Sequence, residues 1–216
     1  MEDLETRQKL LKGAEELFMR YGVRSITMDE IARHLSISKK TLYQYFADKD
    51  DIVASVTETH LNREREEYMA NTGSARNAVE ELVNLSLCMK ENLKGMNPSL
   101  LFDLQKYHHK AWRIWTEFKN VFIRNSVINN LKRGMEQGLY RDDIDPEILA
   151  VVRIESVQMG FDERLFPRDR YNLTQVQTAI LEHFIHGLLT DKGRKLYQKY
   201  LKEKIKETSY QNDLSI

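Results

Sequence analysis

The sequence predicts an all-α protein, and three observations carry that prediction. Only three prolines and nine glycines occur in 216 residues, so the punctuation that many short strands need is missing. Apolar residues recur at helical rather than alternating spacing along the chain. Helix-start signals, in which an accepting side chain precedes an apolar run, recur at several points. The expected organisation is a small N-terminal three-helix domain at residues 1–48 and a larger C-terminal helical domain at 49–216.

The first helix is expected over about residues 4–21, with Leu10, Ala14, Leu17, Phe18 and Tyr21 on one stripe and Gly22 as its stop. A second start comes at Thr27. Thr27 and Glu30 have the spacing of a capping box, and Ile26 can staple to Ile31 across it. Met28, Ile31, Ala32 and Leu35 form the buried face of this short helix, and Ser36-Ile37-Ser38 breaks it. Ser38 caps a third helix at 39–46, with Ile37 stapled to Leu42; it is too short to stand alone. Asp48 caps a fourth, expected to run to about Tyr68 and to end in a loop at Asn71-Thr72-Gly73-Ser74. Helical stretches follow near 75–94, 98–107 and 110–137, the last stopped by Gly138. Asp145-Pro146-Glu147 is a helix start with an aspartate cap and proline in the first turn, and that helix is expected to reach about Leu165. Phe166-Pro167-Arg168 interrupts the chain. An apolar helix follows at 174–189, then a basic one at about 191–206, with a frayed tail after Glu207.

Lys and Arg number 33, as do Asp and Glu, so the formal net charge is zero. Nucleic-acid binders are often basic overall, and the balance argues mildly against one. Distribution matters more than the total. Between Ile31 and Phe46 the charged residues are Arg33, Lys39 and Lys40, with no acid among them. Cys88 is the single cysteine, which fits a reducing compartment and reads most simply as a small buried hydrophobe. The start, MEDLETRQ, lacks an apolar signal core, and no apolar run approaches the roughly 20 residues that span a bilayer. A cytoplasmic protein is expected.

Two short helices joined by a three-residue turn, backed by a hydrophobic first helix, make a helix-turn-helix at about residues 27–46. The second helix of such a unit enters the major groove. Its inward positions here are Leu42 and Phe46, which leaves Lys39, Lys40, Thr41, Gln44 and Tyr45 outside. Lysine donates to guanine acceptors and glutamine pairs with adenine. Thr27, Ser38 and Lys49 stand at helix starts, where free N–H groups face phosphate. A solvated basic helix needs no partner; the joint presence of caps, staples and turn favours the DNA reading.

The run ITMDEIARHLSISKKTLYQYFADKDDI, residues 26–52, resembles the N-terminal signature of the TetR (tetracycline-repressor) family. Thr27, Ile31, Ala32, Thr41, Leu42, Tyr43, Phe46 and Lys49 match that signature in order, over the first quarter of the chain. The usual glycine of the turn is replaced by Ser36, which adds strain if the position needs positive φ. The resemblance implies that Thr27, Tyr43 and Lys49 touch phosphates while Lys39, Lys40, Thr41 and Gln44 face bases. It also implies a homodimer built on the last long helices, and an effector pocket in the central bundle.

Candidate dimer residues lie on the two late apolar helices: Val152 and Met159, then Val176, Ile180, His183 and Phe184. Ordinary core packing would give the same pattern. The pocket is expected among Met89, Phe102, Tyr107, His108, Trp112, Trp115, Phe118 and Phe122, a segment rich in aromatic residues that could equally be core. His183 and His186 share a helix face, but no further Cys or His completes a metal set, so no metal or cofactor is expected. The last helix, with Lys192, Arg194, Lys195, Lys199, Lys202, Lys204 and Lys206, reads as a solvated face. No Gly-rich phosphate loop, nucleophile motif or metal triad is present, so an enzyme is not expected. The expected function is a sequence-specific, homodimeric repressor that binds double-stranded operator DNA and is released by a small molecule. The alternatives are a ligand-independent regulator, an activator, or a helical enzyme.

Overall fold

The computed structural model describes residues 2–213, with side chains for 3–70 and 72–204. Those residues form eleven α-helices with one π-helical turn between the seventh and eighth. Helix α1 (Glu2–Tyr21) ends at Gly22, whose φ of +80° is the left-handed conformation expected of a glycine stop. Tyr21 is exposed, so the buried stripe of α1 is narrower than its spacing suggests. Helices α2 (Met28–His34) and α3 (Lys39–Tyr45) follow, separated by the turn at 35–38.

Helix α4 (Lys49–Ser74) is longer than expected. The chain stays helical through Thr72 and Gly73, and the Thr72 hydroxyl donates back to the Tyr68 carbonyl. The restart comes instead at Asn77, whose side chain accepts from the N–H groups of Val79 and Glu80 at the head of α5 (Ala78–Asn92). The expected helix at 98–107 is α6 (Leu100–Tyr107). The expected long helix at 110–137 is α7 (His109–Glu117), a π turn (Phe118–Ile123) and α8 (Arg124–Glu136) in unbroken succession.

Asp145 caps α9 (Pro146–Met159) through the N–H groups of Glu147 and Ile148. This helix stops at Gly160, earlier than expected. A Cβ there would lie 2.4 Å from the Gln177 side chain, which comes from α10 (Leu173–Leu188). Helix α11 (Asp191–Asp213) passes the expected end at 206, whereas the Lys206 side chain and residues 214–216 lie outside the described residues.

The core has two parts. One joins α1, α2, α3 and the first turns of α4, and it also takes Leu104 from α6 and Ala111 from α7. A boundary at 48–49 therefore separates Ile52, Val53 and Val56 from the cluster they complete. The second part joins α5, α8, α10 and α11 around Tyr140. The Tyr140 hydroxyl lies 3.0 Å from the Ala78 carbonyl and 2.9 Å from Asn130 Oδ1. The backbone pairs Tyr140 with Leu189 in one antiparallel bridge, and among the described residues there is no strand. No helix of the described residues is long and apolar enough to cross a membrane.

Candidate DNA interface and ligand cavity

The local chemistry read from the sequence at α2 and α3 is present atom by atom. Thr27 Oγ1 accepts from Glu30 N at 3.2 Å, and Thr27 N donates to Glu30 Oε2 at 2.7 Å. Ser38 Oγ accepts from Thr41 N at 3.0 Å. Ser36 has φ of +54°, the left-handed value the turn needs, in a residue other than glycine. Leu42 and Phe46 are buried, and Arg7 stacks over the Phe46 ring. Their burial fixes which side of α3 is left in solvent.

That side carries Lys39, Lys40, Tyr43 and Gln44, all exposed, with Ser38 at its head. Arg33 and Thr27 are exposed on the neighbouring α2 unit, and Thr41 is half-buried. Tyr43 keeps its ring in solvent at 44% exposure, with Lys39 Nζ 5.9 Å from the ring centre. Tyr45 departs from expectation. It is half-buried and packs on the N-terminal core, because the helix turns it towards Leu42 and Phe46.

Two acids within the motif, Asp29 and Glu30, lie just before the acid-free stretch that starts at Ile31, and both engage candidate DNA-binding groups. Lys39 Nζ lies 2.7 Å from Asp29 Oδ1, and that hydrogen bond raises its pKa. Glu30 Oε2 accepts a hydrogen bond from the Thr27 hydroxyl at 2.8 Å, and its hydrogen bonds from Thr27 lower its pKa. The Thr27 hydroxyl has only one proton to give, so a phosphate competes with Glu30 for it. Lys49 is half-buried with Nζ 3.4 Å from the Arg24 carbonyl, and burial lowers its pKa. Lys40 and Gln44 enter none of these bonds.

The central helices enclose a cavity of about 380 Å³. Met89, Trp115, Phe118 and Phe122 line it. The other four expected residues do not. Phe102 and Tyr107 face outward under cations, with Lys106 Nζ 5.3 Å from the Phe102 ring centre and Arg24 Cζ 5.3 Å from that of Tyr107. His108 is buried but bonded through Nδ1 to Asp50 of α4, and Trp112 packs against the N-terminal core. The chain breaks direction at His108, between α6 and α7, so these aromatics do not share one face.

Much of the cavity wall comes from residues that sequence reasoning passed over. Helix α4 contributes Thr57, His60, Leu61, Glu64 and Tyr68. His60 bridges Glu15 of α1 and Glu64, with Nδ1 to Glu15 at 2.7 Å and Nε2 to Glu64 at 3.3 Å. Burial is the largest single influence on His60 and opposes its charge, but the carboxylate hydrogen bonds and charges outweigh it and raise the pKa to about 9. Burial likewise pushes Glu15 up, yet His60 and Arg63 together hold it at about 2. From α9 and α10 come Arg153, Gln177 and Phe184.

The expected dimer residues also divide. Val152 and Met159 are exposed on the outer side of α9, in line with Ile148 and Val151. His183 is exposed on α10 and Ile180 is half-buried. Val176 is buried within the subunit, and Phe184 faces the cavity, which removes both from any outer surface.

The sequence pattern of the bacterial regulatory proteins of the tetR family matches residues 10–56, the stretch that builds the helix-turn-helix and its core. The HTH-type transcriptional regulator YvaF of Bacillus subtilis is 25% identical over 173 residues, covering 77% of this chain and 87% of YvaF. The HTH-type transcriptional repressor KstR2 of Mycobacterium tuberculosis is 25% identical over 150 residues, 66% of this chain and 73% of KstR2. The solved structure of KstR2, described as a ketosteroid transcriptional regulator, superposes with a TM-score of 0.61 over 86% of this chain and 96% of that one. A transcriptional regulator from Saccharomonospora viridis, solved with choline, reaches 0.72 over 86% of this chain and 98% of its own, at 17% identity. At that identity the likeness bears on the fold alone.

Proposed function

The chain belongs to the tetR family of bacterial regulatory proteins, and from that premise we propose a homodimeric, cytoplasmic repressor of transcription that a small molecule releases from its operator. The observation that carries the DNA-binding part is the exposed row Lys39, Lys40, Tyr43 and Gln44 on α3, held outward by the burial of Leu42 and Phe46. Lys40 and Gln44 serve as base readers. Tyr43, Ser38, Arg33 and Lys49 serve as backbone contacts, with Thr27 joining them when phosphate displaces Glu30. One short helix covers too few base pairs for useful selectivity, and a two-fold pair doubles the reading at half-sites about 34–36 Å apart. The exposed apolar line of Ile148, Val151, Val152 and Met159 on α9, beside Ala179 and His183 of α10, supports a dimer seam there.

The cavity supports a ligand over a ligand-independent regulator, since its volume lies in the ordinary small-molecule range. Repressors named among the relatives include KstR2, and the choline complex is a fold neighbour with a bound small molecule. An occupant that displaces α4 alters the spacing of the two recognition helices. By linkage it weakens DNA binding by the factor by which DNA weakens its own binding.

Selection of genomic fragments by the purified protein gives the operator. Lys40→Ala and Gln44→Ala should then each cost about 1–3 kcal/mol in operator affinity. Wild-type affinity should fall steeply with salt. Unchanged affinity in both variants, or a flat salt profile, would overturn the assignment. A monomer by light scattering at micromolar concentration would overturn the dimer.

A further inference from the structure

We propose that the cavity takes an apolar molecule carrying a single carboxylate, and that Arg153 recognises that carboxylate. The proposal rests on the reading of the cavity as an effector site. Among the described residues, three side chains have a buried polar atom without a hydrogen-bond partner: Trp115 at Nε1, Arg153 at Nη1 and Gln177 at Oε1. All three residues line this one cavity. Buried polar groups are paired as a rule, and a set of exceptions around one space points to an occupant that pairs them.

The cavity-lining cation that has no carboxylate contact among the described residues sets the sign of that occupant. Its carboxylates have partners: Glu15 has His60 and Arg63, Glu64 has His60, Glu67 has Arg63, and Glu81 has Tyr68 and Arg133. Arg153 has none. Its Nη2 lies 3.9 Å from Met89 Sδ, and its Cζ lies 5.9 Å from the Phe184 ring centre. Burial lowers it only to about 10, so it is cationic at neutral pH. An uncompensated buried charge is costly, and a guanidinium pairs best with a planar carboxylate through two parallel bonds. One guanidinium balances one negative charge, which favours a monoanion over a phosphate dianion.

The remaining orphans fit a second polar point on the same molecule. Gln177 Nε2 donates to the Val157 carbonyl at 2.8 Å, and a carbonyl can only accept, so the amide orientation is fixed and Oε1 is left as an acceptor. Trp115 Nε1 offers a donor. The apolar wall between includes Phe118, Phe122 and Ile123 of the π turn, a distortion frequent at functional sites.

The test uses calorimetric titration of the full chain with three probes of equal chain length: decanoate, 1-decanol and decyltrimethylammonium. Wild-type protein should bind decanoate at least about tenfold more tightly than decanol, the value of one charged hydrogen-bonded pair. Arg153→Met should abolish that preference, and Arg153→Lys should restore part of it. The thermal midpoint of unliganded Arg153→Met should not fall, because the change removes an unpaired buried charge. Equal binding of decanoate and decanol to wild type, or a preference for the ammonium probe, overturns the carboxylate assignment and leaves the effector-site reading standing. Failure of all three to bind overturns both. A lowered midpoint with decanoate preference intact in Arg153→Met assigns Arg153 to the fold rather than to the ligand.

Discussion

The packing of α1 on α4 should weaken in alkaline solution, and His60 is the reason. Its ring is largely buried, at 19% side-chain exposure, between Glu15 and Glu64. The folded pKa of about 9 stands above the ordinary 6.5, so folding is favoured by protonation of this group. Its contribution is full below about pH 6.5 and is lost as pH rises through about 9. Glu15 has the opposite sign: held at about 2, it contributes above about 4.5 and loses that contribution as pH falls through about 2. Both contribute fully only between those limits, from about pH 4.5 to 6.5. The rise from 6.5 to about 9, at about 1.4 kcal/mol per pH unit, corresponds to about 3 kcal/mol. The Glu15 shift reports much of the same pairing and is not added to it. Urea unfolding at pH 6 and pH 9.5 should therefore show wild type losing about 2–3 kcal/mol more than His60→Gln. In Glu15→Gln, the His60 ring resonances should titrate well below about 9. Equal losses in wild type and His60→Gln would refute the reasoning.

Three further outcomes follow from local geometry. Ser36→Gly relieves a left-handed φ of +54° and should stabilise the protein by about 0.5–1 kcal/mol, read as a raised thermal midpoint. Tyr140→Phe removes the hydroxyl that faces the Ala78 carbonyl and Asn130 and should cost about 1–3 kcal/mol in denaturant unfolding, since Asn130 Oδ1 stays buried without its donor while the Ala78 carbonyl keeps Asn130 Nδ2. Gly134→Ala would set a Cβ 2.0 Å from the Tyr140 ring in a fully buried spot, so it should destabilise by about 1–3 kcal/mol or prevent folding. A neutral result in either of the last two would mean that the second core repacks more easily than its contacts suggest.

What the sequence made legible was what depends on neighbours three or four positions away. The Thr27 box, the Ser38 and Asp145 caps and the inward Leu42 and Phe46 are all set within one helical turn, and each is found as read. The two misplaced helix stops, at α4 and α9, differ in what surrounds them. Asn71-Thr72-Gly73 carries loop residues, yet glycine only weakens a helix, and a Cβ at Gly73 would meet nothing within 4 Å. At the end of α9 the long-range constraint is on residue type: the Gln177 side chain, distant in sequence, lies so close to Gly160 that a Cβ has no room there. The cavity was read least well because its walls come from eight helices and the π turn. Aromatic density around residues 102–122 located the region, but the break at His108 decided which rings face in. Arg153 gave no signal at all, since one arginine in a helix ordinarily reaches solvent.

The two functional regions are joined by helices rather than by a free linker, and this constrains how a ligand can act. Helix α4 begins beside the recognition helix, where Asp50 binds His108 and Asp51 lies 3.5 Å from Lys110. Its next turns, through Ile52, Val53 and Val56, complete the N-terminal core, and the turns after that form cavity wall. On the opposite side the same core takes Leu104 and Ala111, so α6 and α7 grip the DNA-binding unit as well. The Asn97 N–H reaches the Met19 carbonyl at 2.6 Å, and Asp103 accepts from Arg24 N at 3.0 Å. A unit held this way cannot swing freely. It follows α4, α6 and α7, and it changes attitude only if those helices shift relative to one another. An occupant between α4 and α9 would bear on that arrangement directly, because both helices line the cavity. The free energy it can transmit is limited to the difference in its affinity for the two arrangements. A single ion pair to Arg153, formed in one arrangement and strained in the other, would supply that difference.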